Sequence, residues 1–174
     1  MGFRALSRTW QKGTQGCPCS FLGDPNKDCT CSALQVRRYR AKISGPLLDR
    51  IDIQVEMPAV RYKERADQTT SEASETIRAR VDRAREVQLA RFADRKIFCN
   101  AQMSPRDLNR FCTTDTSAEK LLETAMAKLG LSARAYTRIL KVTRTIADLA
   151  GQSDNASAQV AEAIQYRSLD RSFH

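Results

Sequence analysis

The sequence is poor in the groups that most enzymes use for catalysis. Its 174 residues include a single histidine, His174, and no nucleophilic side chain stands near a base. The motif G-x-x-x-x-G-K-[ST], which cradles the phosphates of a nucleoside triphosphate, does not occur. No apolar run approaches the ~20 residues that span a membrane. From these absences we expect that the chain has no independent catalytic site and does not span a membrane.

Positive charge is what the chain has in excess. Lys and Arg number 29 against 20 Asp and Glu, which gives a net charge of +9. Such a charge favours an anionic partner: nucleic acid, nucleotide phosphate or an acidic protein surface. The first 16 residues lack the apolar stretch of a secretory signal, which predicts a cytoplasmic location. In that reducing compartment the six cysteines are expected to be thiols or metal ligands.

Apolar spacing predicts a mainly α-helical fold, with a compact bundle over residues 70–174. The first helix of the bundle is expected to be capped by Thr69 and to run to about Ala93. Its predicted inner face consists of Ile77, Val81, Ala84 and Val87. Cys99 and Cys112 lie in apolar helical contexts and are expected in the core.

The later helices of the bundle have recognisable starts and stops. Ser104 is expected to cap a short helix, and Thr116 to cap the next one, which Gly130 ends. Ser132 is expected to cap another helix. A last helix is predicted over residues 156–169.

The first 62 residues predict a smaller α/β fragment. Residues 1–16 form an irregular leader, and residues 17–62 hold a Cys-rich hairpin, a short helix after Ser32, and a strand. The strand is indicated by apolar residues that alternate with polar ones: Ile51, Ile53, Val55 and Met57. Residues 63–69 are expected to link this fragment to the bundle.

Paired cysteines are the sharpest local motif of the sequence. The segment CPCSFLGDPNKDCTC offers four thiolates to a tetrahedral Zn²⁺, namely Cys17, Cys19, Cys29 and Cys31. The C-x-C spacing is one residue tighter than the usual C-x-x-C, and two disulfides or incidental thiols account for the same count. A structural zinc that folds the segment without catalysing a reaction is the favoured interpretation.

Basic residues supply the other candidate sites. Arg50 stands at the start of the predicted strand, where an exposed guanidinium can stabilise phosphate charge, although an ion pair with Asp49 or Asp52 is the commoner arrangement. One basic stripe consists of Arg134, Arg138 and Lys141, and one cluster consists of Arg37, Arg38, Arg40 and Lys42 around Tyr39. Either can contact phosphates or be a solvated surface.

Four stretches together resemble the magnesium-chelatase-like AAA+ ATPases of the ComM/YifB family. They cover about residues 17–171: CPCSFLGDPNKDCTC, RRYRAKISGPLLDRIDIQVEMP, LGLSARAYTRILKVTRTIADLAG and AEAIQYRSLDR. The resemblance implies a helical AAA+ lid preceded by a piece of the α/β core. It also implies assembly into a hexameric ring. The ComM branch of the family is associated with DNA branch migration during natural transformation. Other AAA+ subunits, or a polypeptide carrying the N-terminal part, are the implied partners, with DNA as a candidate substrate.

The resemblance implies roles for two arginines. Arg50, in LLDRID, matches the arginine finger that reaches the γ-phosphate held by an adjacent subunit, with Asp49 beside it. Arg134, in LSARAY, matches the sensor-2 arginine of the lid. Both would stabilise charge that develops during phosphoryl transfer. ATP and Mg²⁺ would bind only in a complete ring.

The sequence departs from the family pattern in several places. The P-loop, the Walker B acidic residues and sensor 1 have no counterpart, and Gln15-Gly16 stand where an Asn-Pro is expected. Ser20 replaces a glycine, and Lys42 replaces an arginine. Two alternatives stay open: a zinc-containing module that binds DNA or another partner, and an inactive truncated gene product.

Overall fold

A computed structural model describes residues 16–24, 26–42, 50–55 and 72–167, which fall into two units. In these ranges the chain forms six α-helices, a 3-10 turn at Asn100–Gln102 and no β-strand. The helices are α1 (Ala33–Arg40), α2 (Ser74–Arg91), α3 (Pro105–Phe111), α4 (Thr116–Leu129), α5 (Ala133–Leu149) and α6 (Ser157–Gln165). The predicted, mainly helical fold is confirmed. None of these helices is long and apolar enough to cross a membrane.

The first unit contains the Cys-rich segment and α1. As predicted, Ser32 caps α1: its hydroxyl accepts the Gln35 N–H at 3.3 Å, and the Gln35 side chain accepts the Ser32 N–H at 2.8 Å. This reciprocal pair satisfies two donors that a helix start leaves open. No residue of α1 is buried. The helix is therefore held by its cap and by polar contacts rather than by an apolar core.

The second unit contains residues 50–55 and the helical bundle. Helix α5 lies at its centre and packs against α2, α3, α6 and the 3-10 turn. The buried core consists of Phe92, Met103, Leu108, Cys112, Ala118, Leu122, Ile139, Leu140, Val160 and Ala163. Cys112 is in this core as predicted, whereas Cys99 is partly exposed. Each large apolar side chain buried here contributes about 1.5–3 kcal/mol.

Most helix ends in the bundle agree with the sequence. Ser104 and Ser132 cap α3 and α5, and Gly130 ends α4 with a φ of 60°, a conformation that favours glycine. The cap of α4, however, is Asp115 and not Thr116. The Asp115 carboxylate accepts the Ala118 N–H at 2.7 Å, and its negative charge also suits the positive end of the helix dipole.

The predicted inner face of α2 is right only at Ala84. Ile77, Val81 and Val87 are 41%, 37% and 47% exposed, and no residue of 74–83 is buried. The reason is that only the C-terminal part of α2 packs into the bundle, which apolar spacing alone does not reveal. The structure places the cap at Ala73, and the predicted cap Thr69 lies outside the described residues.

Residues 51–55 do not form the predicted strand. Ile53 and Val55 are 52% and 63% exposed instead of facing a core. A strand needs a neighbouring ladder, and here the backbone bonds instead to Arg138, Arg167 and the Tyr166 carbonyl of the helical bundle. The last helix ends at Gln165, short of its predicted end at residue 169, and residues 166–167 form a turn. Other predicted features lie outside the described residues: the leader up to residue 15, Met57, the linker 63–69, and residues 168–169.

Candidate functional site

The four cysteines of the paired motif meet at one point in the first unit. The Cys17 Sγ lies 3.3 Å from that of Cys19 and 3.6 Å from that of Cys29. All four sulfur atoms, including that of Cys31, lie within 4.8 Å of one another. Cys17 is fully buried, and the other three are partly exposed.

A tight turn after the first cysteine pair helps to bring the pairs together. The Ser20 N–H donates to the Cys17 carbonyl at 3.2 Å, and Ser20 has a φ of 75°. This left-handed conformation favours glycine, the residue that the resembling family has at this position. Further along, the Asp24 side chain accepts the Asn26 N–H at 2.7 Å and turns the chain back.

The pKa values of the Cys19 and Cys29 thiols are shifted in opposite directions. A backbone hydrogen bond at Phe21 is the largest cause that lowers the pKa of Cys19, to about 6. A backbone hydrogen bond at Cys31 lowers the pKa of Cys29, but desolvation and the neighbouring Cys19 and Cys17 outweigh it and raise that pKa to about 12. The side-chain contacts within the cluster thus lower the pKa of Cys19 and raise those of Cys29 and Cys31.

This cluster can hold a metal ion. Zn²⁺ binds cysteine sulfur at about 2.3 Å, so a tetrahedral site has sulfur atoms about 3.8 Å apart. The Cys19 and Cys29 sulfur atoms are 3.5 Å apart, which approaches that spacing. Four sulfur donors with no oxygen or nitrogen donor suit a soft, closed site. A divalent cation there would favour all four thiolates and remove their mutual repulsion.

The predicted basic cluster lies on and after α1. Arg37 and Arg38 are exposed in its last turn. Arg40 instead donates from Nε to the Gly16 carbonyl at 3.3 Å, and the Lys42 ammonium lies 5.6 Å from the centre of the Tyr39 ring. Cations at a helix C-terminus also stabilise the helix dipole, so the cluster has a structural role beside any contact with phosphate.

The two arginines implied by the resemblance both belong to the helical unit. Arg50 and Arg134 are exposed, whereas Asp49 lies outside the described residues. Asp52, one of the two ion-pair partners considered for Arg50, pairs with Arg138 instead. Arg138 also donates to the carbonyl oxygen of Arg50 at 2.8 Å.

The predicted stripe on α5 is partly engaged within the unit. Besides the contacts of Arg138, the Lys141 ammonium donates to the Ala101 carbonyl at 2.8 Å. Arg134 is the exposed member of the three. The structure thus distributes these cations between internal contacts and the surface, which their common spacing did not predict.

A buried ionic cluster, which the sequence patterns did not predict, lies between α2 and α5. The Asp148 carboxylate accepts from Arg91 at 2.5 and 2.7 Å, from Asn100 at 2.8 Å and from Arg144 at 3.0 Å. Burial raises the pKa of Asp148, but hydrogen bonds from Arg91 and Asn100 and the charge of Arg144 outweigh it and lower the pKa below its usual value. The i, i+4 spacing of Arg144 and Asp148 was the available signal.

Comparison with known proteins defines the class first. The family described as "Magnesium chelatase, subunit ChlI C-terminal" matches residues 71–167, the helical bundle. The family described as "Magnesium chelatase, subunit ChlI" matches residues 12–65, which include the cysteine cluster. The chain is therefore a magnesium-chelatase-like protein region.

Individual relatives identify the family within this class of proteins. The chain is 41% identical to competence protein ComM of Haemophilus influenzae over 143 residues, which cover 80% of the chain and 27% of that protein. It is 38% identical to the uncharacterized protein YifB of Escherichia coli over 156 residues, which cover 87% of the chain and 29% of YifB. The chain belongs to the magnesium-chelatase-like ComM/YifB family. It spans under a third of the length of these relatives.

Proposed function

We propose that the chain is the lid-bearing segment of a ring-forming, cytoplasmic AAA+ ATPase that acts on DNA. Residues 17–62 serve as the C-terminal piece of the ATPase core, residues 63–69 as a linker, and residues 70–174 as the lid. Arg50 acts as the arginine finger on a neighbouring subunit's nucleotide, and Arg134 acts as sensor 2. Asp49 accompanies the finger. The chain alone hydrolyses no ATP.

The observation that carries this proposal is the link between the two arginines. Arg138 holds the carbonyl of Arg50, and it follows Arg134 by one turn on the same side of α5. Two exposed guanidinium groups borne by one unit suit a single highly charged ligand such as a triphosphate. The Asp52 carboxylate pairs with Arg138, and no ion pair of Arg50 is seen among the described residues.

A hybrid protein tests the two arginine roles. In the hybrid, this chain replaces the matching segment of the Haemophilus influenzae ComM, whose remaining part supplies the P-loop that the resemblance implies. Arg50→Ala is expected to lower ATP turnover by about 10³-fold or more, as loss of an arginine finger does. Arg134→Ala is expected to lower turnover by about 10²-fold, as loss of one electrostatic contact does.

Arg80→Ala is the matched control for that experiment. Arg80 lies on the exposed part of α2 and pairs with Glu72 at the surface, so its loss should leave turnover unchanged. Turnover in the Arg50→Ala hybrid equal to that of the Arg80→Ala hybrid would contradict the finger assignment. Measurable turnover by the 174-residue chain alone would contradict the division of labour between the two parts.

The second part of the proposal is a structural zinc bound by Cys17, Cys19, Cys29 and Cys31. Metal analysis of purified, tag-free chain is expected to give one zinc per chain, with those four thiols protected and Cys99 reactive, since Cys99 is partly exposed. Absence of metal together with reactive thiols at all four cluster positions would refute the assignment. Two disulfides would leave only Cys99 and, after denaturation, Cys112 to titrate, and would support the alternative interpretation.

A nucleic-acid-binding module without ATP chemistry is the second candidate function. It is favoured by the exposed Arg37 and Arg38 beside the cysteine cluster and by the net charge of +9. Such a module would bind DNA to the same extent with and without ATP, and its affinity would fall steeply with salt. DNA binding by the hybrid that depends on ATP would favour the ring ATPase instead.

A further inference from the structure

Hydrogen bonds to the backbone and to the Asp52 side chain fasten residues 50–55 to the helical bundle. Arg138 donates to the Arg50 carbonyl at 2.8 Å, and Arg167 donates to the Ile51 carbonyl at 3.0 Å. The Gln54 N–H donates to the Tyr166 carbonyl at 2.9 Å. The contacts come from both α5 and the residues that follow α6. The segment is thus held at both of its ends.

Apolar burial contributes little to this attachment. Ile53 and Val55 are 52% and 63% exposed, and Ile51 is only partly buried. Apolar side chains that stay exposed contribute little hydrophobic stabilisation. The position of the segment therefore depends on its polar contacts. Removing one charged donor should release the segment more readily than it would release a strand in a packed sheet.

Arg138 makes two of these contacts. Its guanidinium pairs with the Asp52 carboxylate and also bonds the backbone carbonyl of Arg50. Its side chain is 25% exposed and that of Asp52 is 50% exposed, so the pair lies at the surface of the unit. Hydrogen bonds from a charged donor are nevertheless stronger than those between neutral groups. Arg138 thereby fixes the backbone from which the Arg50 side chain extends.

We propose that Arg138, together with Asp52, is a positioning pair that fastens the arginine-finger segment to the lid helix carrying Arg134. The pair keeps Arg50 at a set place relative to Arg134, so that both arginines approach a nucleotide as one rigid element. Arg138 itself touches no phosphate; it acts through Arg50. The inference rests on the proposed function of Arg50, but the fastening of the segment is testable without ATP.

The first test measures the fastening in the 174-residue chain. Hydrogen exchange of the Gln54 amide, followed by NMR, reports whether this N–H stays bonded to Tyr166. Arg138→Ala and Asp52→Asn are expected to speed its exchange by about 10-fold, the effect of losing a charged hydrogen bond. Lys141→Ala is the matched control, because Lys141 lies on the same helix but bonds Ala101.

The second test measures catalysis in the hybrid. Arg138→Ala is expected to lower kcat by about 10²-fold with KM unchanged, as a displaced catalytic group does. Arg138→Lys should restore part of kcat, since the lysine ammonium keeps the charge but can donate less well to both partners. The double variant Arg50→Ala/Arg138→Ala should turn over no more slowly than Arg50→Ala alone.

The outcomes separate this inference from the proposed function. If Gln54 exchange is unchanged in Arg138→Ala and in Asp52→Asn, the positioning pair is refuted. If the kcat losses of Arg50→Ala and Arg138→Ala multiply, Arg138 acts independently of Arg50 and the inference also fails. If Arg50→Ala itself leaves turnover intact, the finger assignment fails, while faster Gln54 exchange would still establish the fastening.

Discussion

At the scale of single residues, the buried carboxylate of Asp148 is the most demanding feature of the bundle. It is 4% exposed and lies between two guanidinium groups, those of Arg91 and Arg144. Arg144 also donates to the carbonyls of Gln152 and Ser153, which closes the loop after α5. A buried charge is tolerated only when such partners satisfy it. The cluster thus ties α2, α5 and that loop together.

Asp148→Asn should destabilise the helical unit by about 3–5 kcal/mol, because it leaves guanidinium groups buried without their counter-charge. Chemical denaturation followed by circular dichroism measures the change. Asp82→Asn, on the exposed part of α2, is the control and should change the free energy of unfolding by less than about 0.5 kcal/mol. Equal stabilities of the two variants would contradict the importance of the cluster.

The pH dependence of stability follows from the lowered pKa of Asp148. Its contribution is present above the unfolded-state pKa of about 4 and is lost as the pH falls through the folded-state pKa. The wild-type unit should therefore lose stability on acidification below about pH 4. In Asp148→Asn that acid limb should be shallower. An identical acid limb would mean that other carboxylates control it.

At the scale of secondary-structure elements, local chemistry could be predicted and tertiary environment could not. Ser32, Ser104 and Ser132 cap their helices because each hydroxyl accepts the backbone N–H three residues further along the chain. This local bond forms whatever surrounds the helix. The buried face of α2 and the state of residues 51–55 depend on which elements pack nearby. Periodicity indicates that a face is apolar but not whether a partner covers it.

A pair of substitutions tests which apolar side chains support the bundle. Ile77→Ala, on the exposed end of α2, should cost less than about 0.5 kcal/mol of stability. Ile139→Ala, in the core on α5, should cost about 2–5 kcal/mol because it opens a cavity. The two changes remove the same atoms, so their difference reports burial alone. Comparable losses would show that the exposed end of α2 is covered in solution.

At the scale of the whole molecule, the two units draw on different sources of stability. The helical unit has a contiguous apolar core, whereas Cys17 is the one buried residue in the described part of the first unit. A segment without a core needs another source of folding energy, and a bound metal supplies it in many small domains.

Removal of the proposed structural zinc should therefore unfold the cysteine segment and α1 and leave the bundle intact. Amide signals of α1 in an NMR spectrum should collapse towards random-coil positions after chelation, while those of α5 keep theirs. Added Zn²⁺ should restore the lost signals. Unchanged α1 signals after complete metal removal would show that the cysteine segment folds by other means.

The candidate sites differ in how far the sequence could reveal them. The two C-x-C pairs indicated a common site, because closely spaced cysteine pairs are typical of metal sites and disulfides. The partners of Asp52, Arg91 and Arg167 come from distant parts of the chain, so no local pattern indicated them. The resemblance pointed to Arg50 and Arg134, but the contact of Arg138 with the Arg50 carbonyl required three-dimensional structure.

Mixing of two defective subunits tests whether Arg50 serves the nucleotide of a neighbouring subunit. One hybrid carries Arg50→Ala, and a second has the lysine of its phosphate-binding loop replaced by alanine. Each alone should show almost no ATP turnover. A mixture should regain turnover, because an intact Arg50 from the second hybrid can face an intact phosphate loop of the first. If mixed rings of confirmed composition regain no ATP turnover, Arg50 does not serve the nucleotide of a neighbouring subunit.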